Sequence, residues 1–370
     1  MLIDIIAGAR PNFMKIAPII KAIKNQEMRG GRLRYRLIHT GQHYDAKMSG
    51  DFFRQLDIPE PDHNLDVGSG SQASQTAAIM VRYEGLLSKG ASDLCLVVGD
   101  VTSTMACAIT AQKMKIPVAH VEGGIRSRDW TMPEEINRLV TDAITNIFFT
   151  TSVDANRNLR NSGIQDERIF FVGNTMIDTL LSNMHKLKAP EFFDDFQLND
   201  RPYFVLTLHR PNNVDEGAIF RDLLVAVAEG ARGLPVIFPV HPRTAKSIKE
   251  IPSFPDNIRL VDPQPYLEFN FLVKNAYAVI TDSGGVTEET TVLGIPCITL
   301  RNSTERPETV SVGTNELVGT DPEKLKPVLD QLFEGRWKKG GVPENWDGHA
   351  AERIVDILSS LRPGMLERMK

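Results

Sequence analysis

Cysteine is scarce. Only Cys95, Cys107 and Cys297 occur in 370 residues. They are widely spaced and lie in apolar runs, so they are expected to be reduced core residues of a cytosolic protein, not a disulfide framework. No Cys/His cluster has zinc-ligand spacing. No apolar run approaches the ~20 residues of a membrane span. The segment Met1–Leu2–Ile3–Asp4–Ile5–Ile6 lacks the basic flank and long apolar core of a signal peptide, so none is expected. Positive charge is not in excess: 42 Lys and Arg against 47 Asp and Glu leave a net charge of −5. A non-specific nucleic-acid or anionic-membrane binder should be basic, and both classes are set aside. Two phosphate signatures are also missing, the Walker A sequence and an Asp-x-Asp metal pair, so side chains are expected to do what magnesium does elsewhere. Gly68–Ser69–Gly70–Ser71–Gln72 lacks the third glycine of a dinucleotide fingerprint and follows no good strand, so no Rossmann cofactor site is expected there.

What is present is a long alternation of short β-branched runs and amphipathic helical stretches, without a short repeat. The chain is too long for one typical domain and fits two. Strands are expected at Leu2–Ala7, Tyr35–Thr40, Leu94–Val98, Val118–His120, Ile147–Thr151 and Ile169–Val172. After a polar, Pro-containing connection at Ala189–Pro202 the pattern restarts with Tyr203–Leu208, Pro235–Val240, Ile258–Val261, Tyr277–Ile280, Pro296–Leu300 and Asn315–Val318. Helices are expected at Asn12–Lys24 (bent or re-started at Pro18), Asp51–Leu56, Gln75–Leu87, Thr175–Lys188, Ala218–Ala231 and His349–Leu361, with Pro363 as the stop. The fold class is therefore α/β, two Rossmann-like, doubly wound parallel-sheet domains facing each other across a cleft. The domains are expected to be 1–173 with 350–370, the last helix packing back, and 174–349.

The stretch Thr281–Asp282–Ser283–Gly284–Gly285–Val286–Thr287–Glu288–Glu289 runs strand, Ser-Gly-Gly turn, helix. Its glycines let a phosphate approach the backbone, and the new helix aims unpaired N–H groups and a positive dipole end at it. Glu289, about a turn in, could take the two hydroxyls of a ribose, which makes this a candidate nucleotide-diphosphate site. The bland alternative is a glycine-capped turn. Ligands of open α/β sheets gather at the carboxyl ends of the strands. Arg10, Asp100, Glu122 and Glu134 in the first half, and His209, Arg243, Ser283 and Arg306 in the second, all follow expected strands or open helices. Lys15 lies one turn behind Arg10. Glu134 and Arg138 share a helix face, where the bland reading is an ion pair. Cleft carboxylates suit acid–base work, and cations suit a departing pyrophosphate. The residues thus indicate a sugar-nucleotide enzyme that breaks or labilises the bond to the diphosphate. They leave transfer, hydrolysis and isomerisation open.

Several pieces in this order resemble one family, the non-hydrolysing UDP-N-acetylglucosamine 2-epimerases. They are Gly8–Ala9–Arg10–Pro11 with Lys15, Gly99–Asp100, Val121–Glu122–Gly123–Gly124 with Arg126, Pro133–Glu134–Glu135–Ile136–Asn137–Arg138, Gly173–Asn174–Thr175, His209–Arg210, Asp282–Ser283–Gly284–Gly285 with Glu288–Glu289, and Thr304–Glu305–Arg306–Pro307–Glu308. The resemblance implies the GT-B fold and interconversion of UDP-GlcNAc and UDP-ManNAc by anti elimination of UDP to 2-acetamidoglucal and syn re-addition. It implies no cofactor, since no hydride moves. It places the acid–base groups at Asp100, Glu122 and Glu134 and an essential histidine at His209. It gives Arg10, Lys15, Arg138 and Arg306 to the UDP, phosphate and ribose to Ser283, Gly284, Gly285 and Glu289, and the uracil to Phe269. It implies a cytoplasmic enzyme serving cell-surface polysaccharide synthesis, with a UDP-sugar as its partner molecule. A homodimer is the default for such an enzyme.

The chain also departs from the family. Asn12 stands where many relatives carry an acid, and the loop after the histidine reads Pro211–Asn212–Asn213–Val214 where many have Arg-Glu-Asn or Arg-Glu-Ser. Tyr44–Asp45 follow Gln42–His43, and the Gly68–Gln72 region differs, so activation by a second sugar nucleotide is not expected. Competing readings are an epimerase of UDP-2,3-diacetamido-glucuronic acid, whose members often lack the Arg306–Pro307 pair, a hydrolysing epimerase that releases ManNAc, a GT-B glycosyltransferase, and a non-enzymatic sensor.

Overall fold

The structure is a computed structural model; it describes residues 1–41, 55–241, 243–249, 251 and 254–361. Gln42–His43, Tyr44–Asp45, Pro242, Pro363 and most of the expected helix at Asp51–Leu56 lie outside the described residues, as does the side chain of Arg10.

The chain divides into two compact units, 1–182 with 344–370, and 183–343. The first alternates β1 (Leu2–Ala7), α1 (Arg10–Met28), β2 (Arg34–His39), β3 (His63–Asn64), α2 (Gln72–Leu87), β4 (Leu94–Val98) and α3 (Thr102–Lys113). It continues with β5 (Val118–Val121), α4 (Pro133–Ile144), β6 (Ile147–Thr150), α5 (Val153–Asn161), β7 (Ile169–Phe171) and α6 (Thr175–Asn183). Its sheet has seven strands, all parallel, in the order β3-β2-β1-β4-β5-β6-β7. Strand order reverses between β1 and β4, so the carboxyl ends of those two strands flank a ligand crevice. Leu94–Val98 is apolar throughout and buried throughout, the signature of a strand covered on both faces.

The second unit runs β8 (Phe204–Thr207), α7 (Pro211–Val214), α8 (Gly217–Gly230), β9 (Val236–Pro239), α9 (Thr244–Ile248), β10 (Ile258–Val261), α10 (Tyr266–Asn275) and β11 (Ala278–Thr281). It closes with α11 (Gly284–Leu293), β12 (Cys297–Thr299), α12 (Pro307–Ser311), β13 (Asn315–Leu317) and α13 (Leu325–Phe333). Its sheet has six parallel strands, β10-β9-β8-β11-β12-β13, with the reversal between β8 and β11. Helix α14 (Ala350–Ser360) returns to the first unit and packs on α1. Among the described residues no helix is long and apolar enough to cross a membrane, and the three cysteines are buried and free.

Three expectations need correction. Pro18 does not restart its helix, because α1 runs unbroken through it. Proline removes the N–H that would bond the carbonyl four residues back. That carbonyl, of Met14, instead accepts the Thr179 hydroxyl of α6. The same bond helps to explain a domain boundary at 182/183 instead of 173/174. Helix α6 is fastened within the first unit by two adjacent residues near its middle: Thr179 reaches α1, and the Asp178 carboxylate accepts the Ala350 and Ala351 N–H groups that open α14, at 3.1 and 2.7 Å. The second crossing accordingly falls at 343/344, before α14 and its lead-in, instead of 349/350. Gly173 permits this docking. Its φ is +95°, and a Cβ there would lie 2.0 Å from the Asn345 carbonyl oxygen. Finally, the connection at Ala189–Pro202 is not wholly surface: Phe193 and Leu198 are buried, and Phe193 packs edge-on against Tyr203 and Phe271.

Candidate active site

In the first unit the loops after β4 and β5 and the start of α4 carry the expected acids Asp100, Glu122 and Glu134, and the loop after β1 leads into Asn12 and Lys15. Asn12 organises the first of these loops. Its Oδ1 accepts the Gly8 and Ala9 N–H groups at 3.1 and 3.0 Å, and its Nδ2 donates to the Val98 carbonyl at 3.0 Å. The amide thus ties the end of β1 to the end of β4, a task needing a donor and an acceptor that a carboxylate could not supply. One turn on, Lys15 Nζ donates to Glu122 Oε2 at 2.8 Å in a nearly dry pair. Glu122 follows β5 with φ of +70°, a left-handed conformation that costs a non-glycine residue about 1 kcal/mol or more. Such strain on a buried carboxylate is the kind of local cost that functional sites carry.

Helix α4 starts on Pro133 with Glu134 and Glu135 in its first turn. Arg138 does not pair with Glu134, as its spacing allowed. It holds Asp100 through Nε and Nη2 at 3.1 and 2.6 Å, and Glu135 at 2.6 Å. Asn137 Nδ2 donates to the Asp100 carbonyl at 2.8 Å. Glu134 makes no ion pair among the described residues. Glu135, which sequence reasoning passed over, closes the preceding loop by accepting the Ser127 N–H and hydroxyl and the Arg128 N–H. Burial pushes its pKa up, but these bonds and Arg138 hold it below the usual carboxylate range. His120 and Asp142, also passed over, form a buried pair at 2.7 Å that Arg126 joins at 2.6 Å. Asp142 behaves like Glu135: desolvation raises it, and His120 and Arg126 more than compensate, so it lies below its ordinary value.

In the second unit the focus is Asp282, fully buried at the end of β11. It accepts the backbone N–H groups of His209 and Arg210, the Asn213 amide at 3.1 Å, and His209 Nδ1 at 2.9 Å. Burial raises its pKa and His209, the Arg210 N–H and Asn213 lower it further, leaving a carboxylate. With Nδ1 engaged, the Nε2 edge of a partly exposed His209 is the one left to meet a ligand. Asn213 thus shares the task of holding the strand end: its Nδ2 also donates to the Leu300 carbonyl at 3.0 Å.

Helix α11 begins at Gly284, so the glycines of the Ser-Gly-Gly turn are themselves the helix start. Ser283 occupies the N-cap with extended backbone, and its hydroxyl makes no capping bond. The first turn itself contains no acid. Glu305 closes over this turn, where a Gly284 Cβ would come within 2.8 Å of its Oε1, and it pairs with Arg301 at 2.6 Å and Arg210 at 3.7 Å. Glu289 is buried, and desolvation pushes it up to about 7, against hydrogen bonds from Asn270 and Tyr266. Both of those partners lie on α10, which also carries Phe269, half-buried against the core beneath. Arg306 is buried in a 2.7 Å pair with Glu288. Arg243 is exposed and paired with Asp215 at 2.6 Å.

A family sequence model described as UDP-N-acetylglucosamine 2-epimerase matches residues 25–359. The chain belongs to the UDP-N-acetylglucosamine 2-epimerase family. It is 40% identical to the UDP-N-acetylglucosamine 2-epimerase of Methanocaldococcus jannaschii, over 97% of this chain and 99% of that protein. The crystal structure of that enzyme, in complex with UDP-GlcNAc and UDP, matches with a TM-score of 0.87 over the same shares. The Neisseria meningitidis UDP-GlcNAc 2-epimerase bound to UDP-GlcNAc matches with a TM-score of 0.87 at 30% identity, covering 97% of this chain and 99% of that one. The UDP-2,3-diacetamido-2,3-dideoxy-D-glucuronate 2-epimerase of Pseudomonas aeruginosa is 38% identical over 98% of this chain and all of its own. The epimerase family has the GT-B type of fold, two parallel-sheet α/β domains, and the chain has it too.

Proposed function

We propose that this chain is a non-hydrolysing epimerase that interconverts UDP-GlcNAc and UDP-ManNAc. The second unit holds the UDP. Its diphosphate lies on the N–H groups opening α11 beside Ser283, Gly284 and Gly285, its ribose hydroxyls donate to Glu289, and Phe269 lies against the uracil. The first unit supplies acid and base from Asp100, Glu122 and Glu134. A base removes the C2 proton, the electron pair forms the C1–C2 double bond, and the C1–O bond breaks to release UDP as the anion. Re-addition of UDP to C1 with proton delivery to the opposite face of C2 inverts that carbon. One carboxylate cannot easily serve both faces, so a group of acids is needed. His209, oriented by Asp282, and the cations Lys15, Arg10, Arg138 and Arg306 offset charge on the departing diphosphate or fix the acids that act on the sugar.

The observation that carries this reading is the set of acids at the ends of β4 and β5 and on α4: Asp100 and Glu122 are each engaged by a cation, and Glu134, on the helix that carries Arg138, makes no ion pair among the described residues. A glycosyltransferase has no joint use for three such acids. The intact Arg306–Pro307 pair favours UDP-GlcNAc over the diacetamido-glucuronate substrate of the Pseudomonas relative. Proton NMR of purified protein with UDP-GlcNAc tests the proposal: UDP-ManNAc should accumulate to a constant ratio. Free ManNAc with stoichiometric UDP would instead establish the hydrolysing reaction.

A further inference from the structure

His120 is fully buried on β5, two residues before Glu122. Its Nε2 lies 2.8 Å from the Gly99 carbonyl oxygen and its Nδ1 lies 2.7 Å from Asp142 Oδ1. A carbonyl only accepts, and the Asp142 carboxylate already accepts the Gly124 N–H at 3.0 Å and Arg126 at 2.6 Å. With Asp142 held below its ordinary value as a carboxylate, both ring nitrogens face acceptors, the arrangement an imidazolium satisfies. Its charge is balanced on the spot by Asp142, with Arg126 on that carboxylate's other oxygen.

The bonds converge on one helix. Glu134, Arg138 and Asp142 recur at four-residue intervals on α4 and so share a face. Along that face Arg138 holds the Asp100 carboxylate, Asn137 holds the Asp100 carbonyl, and Asp142 holds His120, which holds the Gly99 carbonyl. Asp142 also fixes Gly124, two residues after Glu122. We propose that His120 is a positioning residue of the epimerisation, a buried imidazolium that clamps the β4 and β5 ends to α4 and so sets the spacing of Asp100, Glu122 and Glu134. It touches none of the reacting atoms. A neutral imidazole would leave one of its two acceptors unserved, and an asparagine can reach one only.

The inference rests on the proposed epimerase activity, and its test separates the two. Nitrogen-15 NMR of folded protein at pH 7.5 should show His120 protonated at both Nδ1 and Nε2; a ring with one bare nitrogen overturns the clamp whether or not the protein is active. In the kinetic arm, His120→Asn should lower kcat for UDP-GlcNAc epimerisation at least 30-fold and change KM and UDP affinity less than threefold. Asp142→Asn, which keeps the side-chain shape, should show the same split if His120→Asn does not fold. In an Asp100→Asn background the further loss from His120→Asn should shrink to less than threefold. A kcat within threefold of wild type in folded variants, or equal losses in kcat and UDP affinity, would overturn the positioning role. An inactive wild-type protein would instead overturn the epimerase reading, with the NMR result unaffected.

Discussion

Replacing Glu289 by glutamine should make the protein more stable and its nucleotide binding less sensitive to pH. Burial raises Glu289 from 4.5 to about 7. Expressed as free energy, that displacement of about 2.5 on the pH scale is about 3 kcal/mol. The sign follows from where the proton sits. The folded state holds the proton more tightly than the unfolded chain, so stability is greatest below the unfolded value near 4.5, falls as pH rises, and levels off above about 7. Glutamine has the same shape without the charge. At pH 8 Glu289→Gln should gain about 1–3 kcal/mol, since its extra N–H donor costs part of the relief. At about 2–4 °C per kcal/mol for a unit of this size, the gain in Tm is several degrees at pH 8 and vanishes near pH 4.5. Function should move the other way. A ribose diol donates to the ionised carboxylate, so wild-type affinity for UDP should weaken about tenfold per pH unit below 7. The UDP phosphate itself titrates with a second pKa of about 6, and the glutamine variant carries that background alone. Calorimetric titration of both proteins with UDP from pH 5.5 to 8 and thermal scans over the same range provide the comparison. Equal pH slopes for the two proteins, or a Glu289→Gln variant less stable at pH 8, would refute the reasoning.

Other expectations follow from the same structure. Thr179→Val leaves the Met14 carbonyl, freed by Pro18, without its partner, and should cost about 1–3 kcal/mol in urea denaturation with kcat preserved. Gly173→Ala should be worse than most glycine replacements, because the contact it meets at 2.0 Å is the backbone of Asn345; a soluble variant with an unchanged urea midpoint would show that the α14 lead-in can move. Asp142→Ala leaves the Arg126 guanidinium and the buried His120 ring without their shared acceptor and should cost about 3–5 kcal/mol at neutral pH. Because Asp142 lies below its unfolded value, that contribution is present at neutral pH and is lost as pH falls through its folded value, so the difference between wild type and variant should narrow in strong acid.

The architecture was legible because buried parallel strands lack regular polar alternation: Leu94–Val98 reads as an apolar run closed by Gly-Asp, and Val118–His120 as a short strand closed by Glu-Gly-Gly. Helix starts were harder. Glycines at 284 and 285 mark a turn by propensity, and only the demand for N–H groups at the strand end makes them the first helical residues. Pro18 reads as a breaker because the residue that rescues its freed carbonyl, Thr179, is far along the chain. Asp100, Glu122 and Glu134 could be found because they end strands or open a helix. His120 and Asp142 sit inside elements, where polar residues pass for satisfied core. The available signal was the four-residue spacing of Glu134, Arg138 and Asp142 on one helix face. The pairing of Arg138 with Asp100 and Glu135 instead of Glu134 was beyond spacing, since i+3 and i+4 partners compete on equal terms until tertiary contacts choose.

The central claim is that the C2 proton is removed and returned while UDP departs and comes back. Incubation of the purified protein with UDP-GlcNAc in heavy water tests it directly. The account predicts deuterium at C2 of both recovered UDP-GlcNAc and UDP-ManNAc, with no free sugar formed. Recovered sugar nucleotide carrying only protium at C2 after prolonged incubation would contradict it.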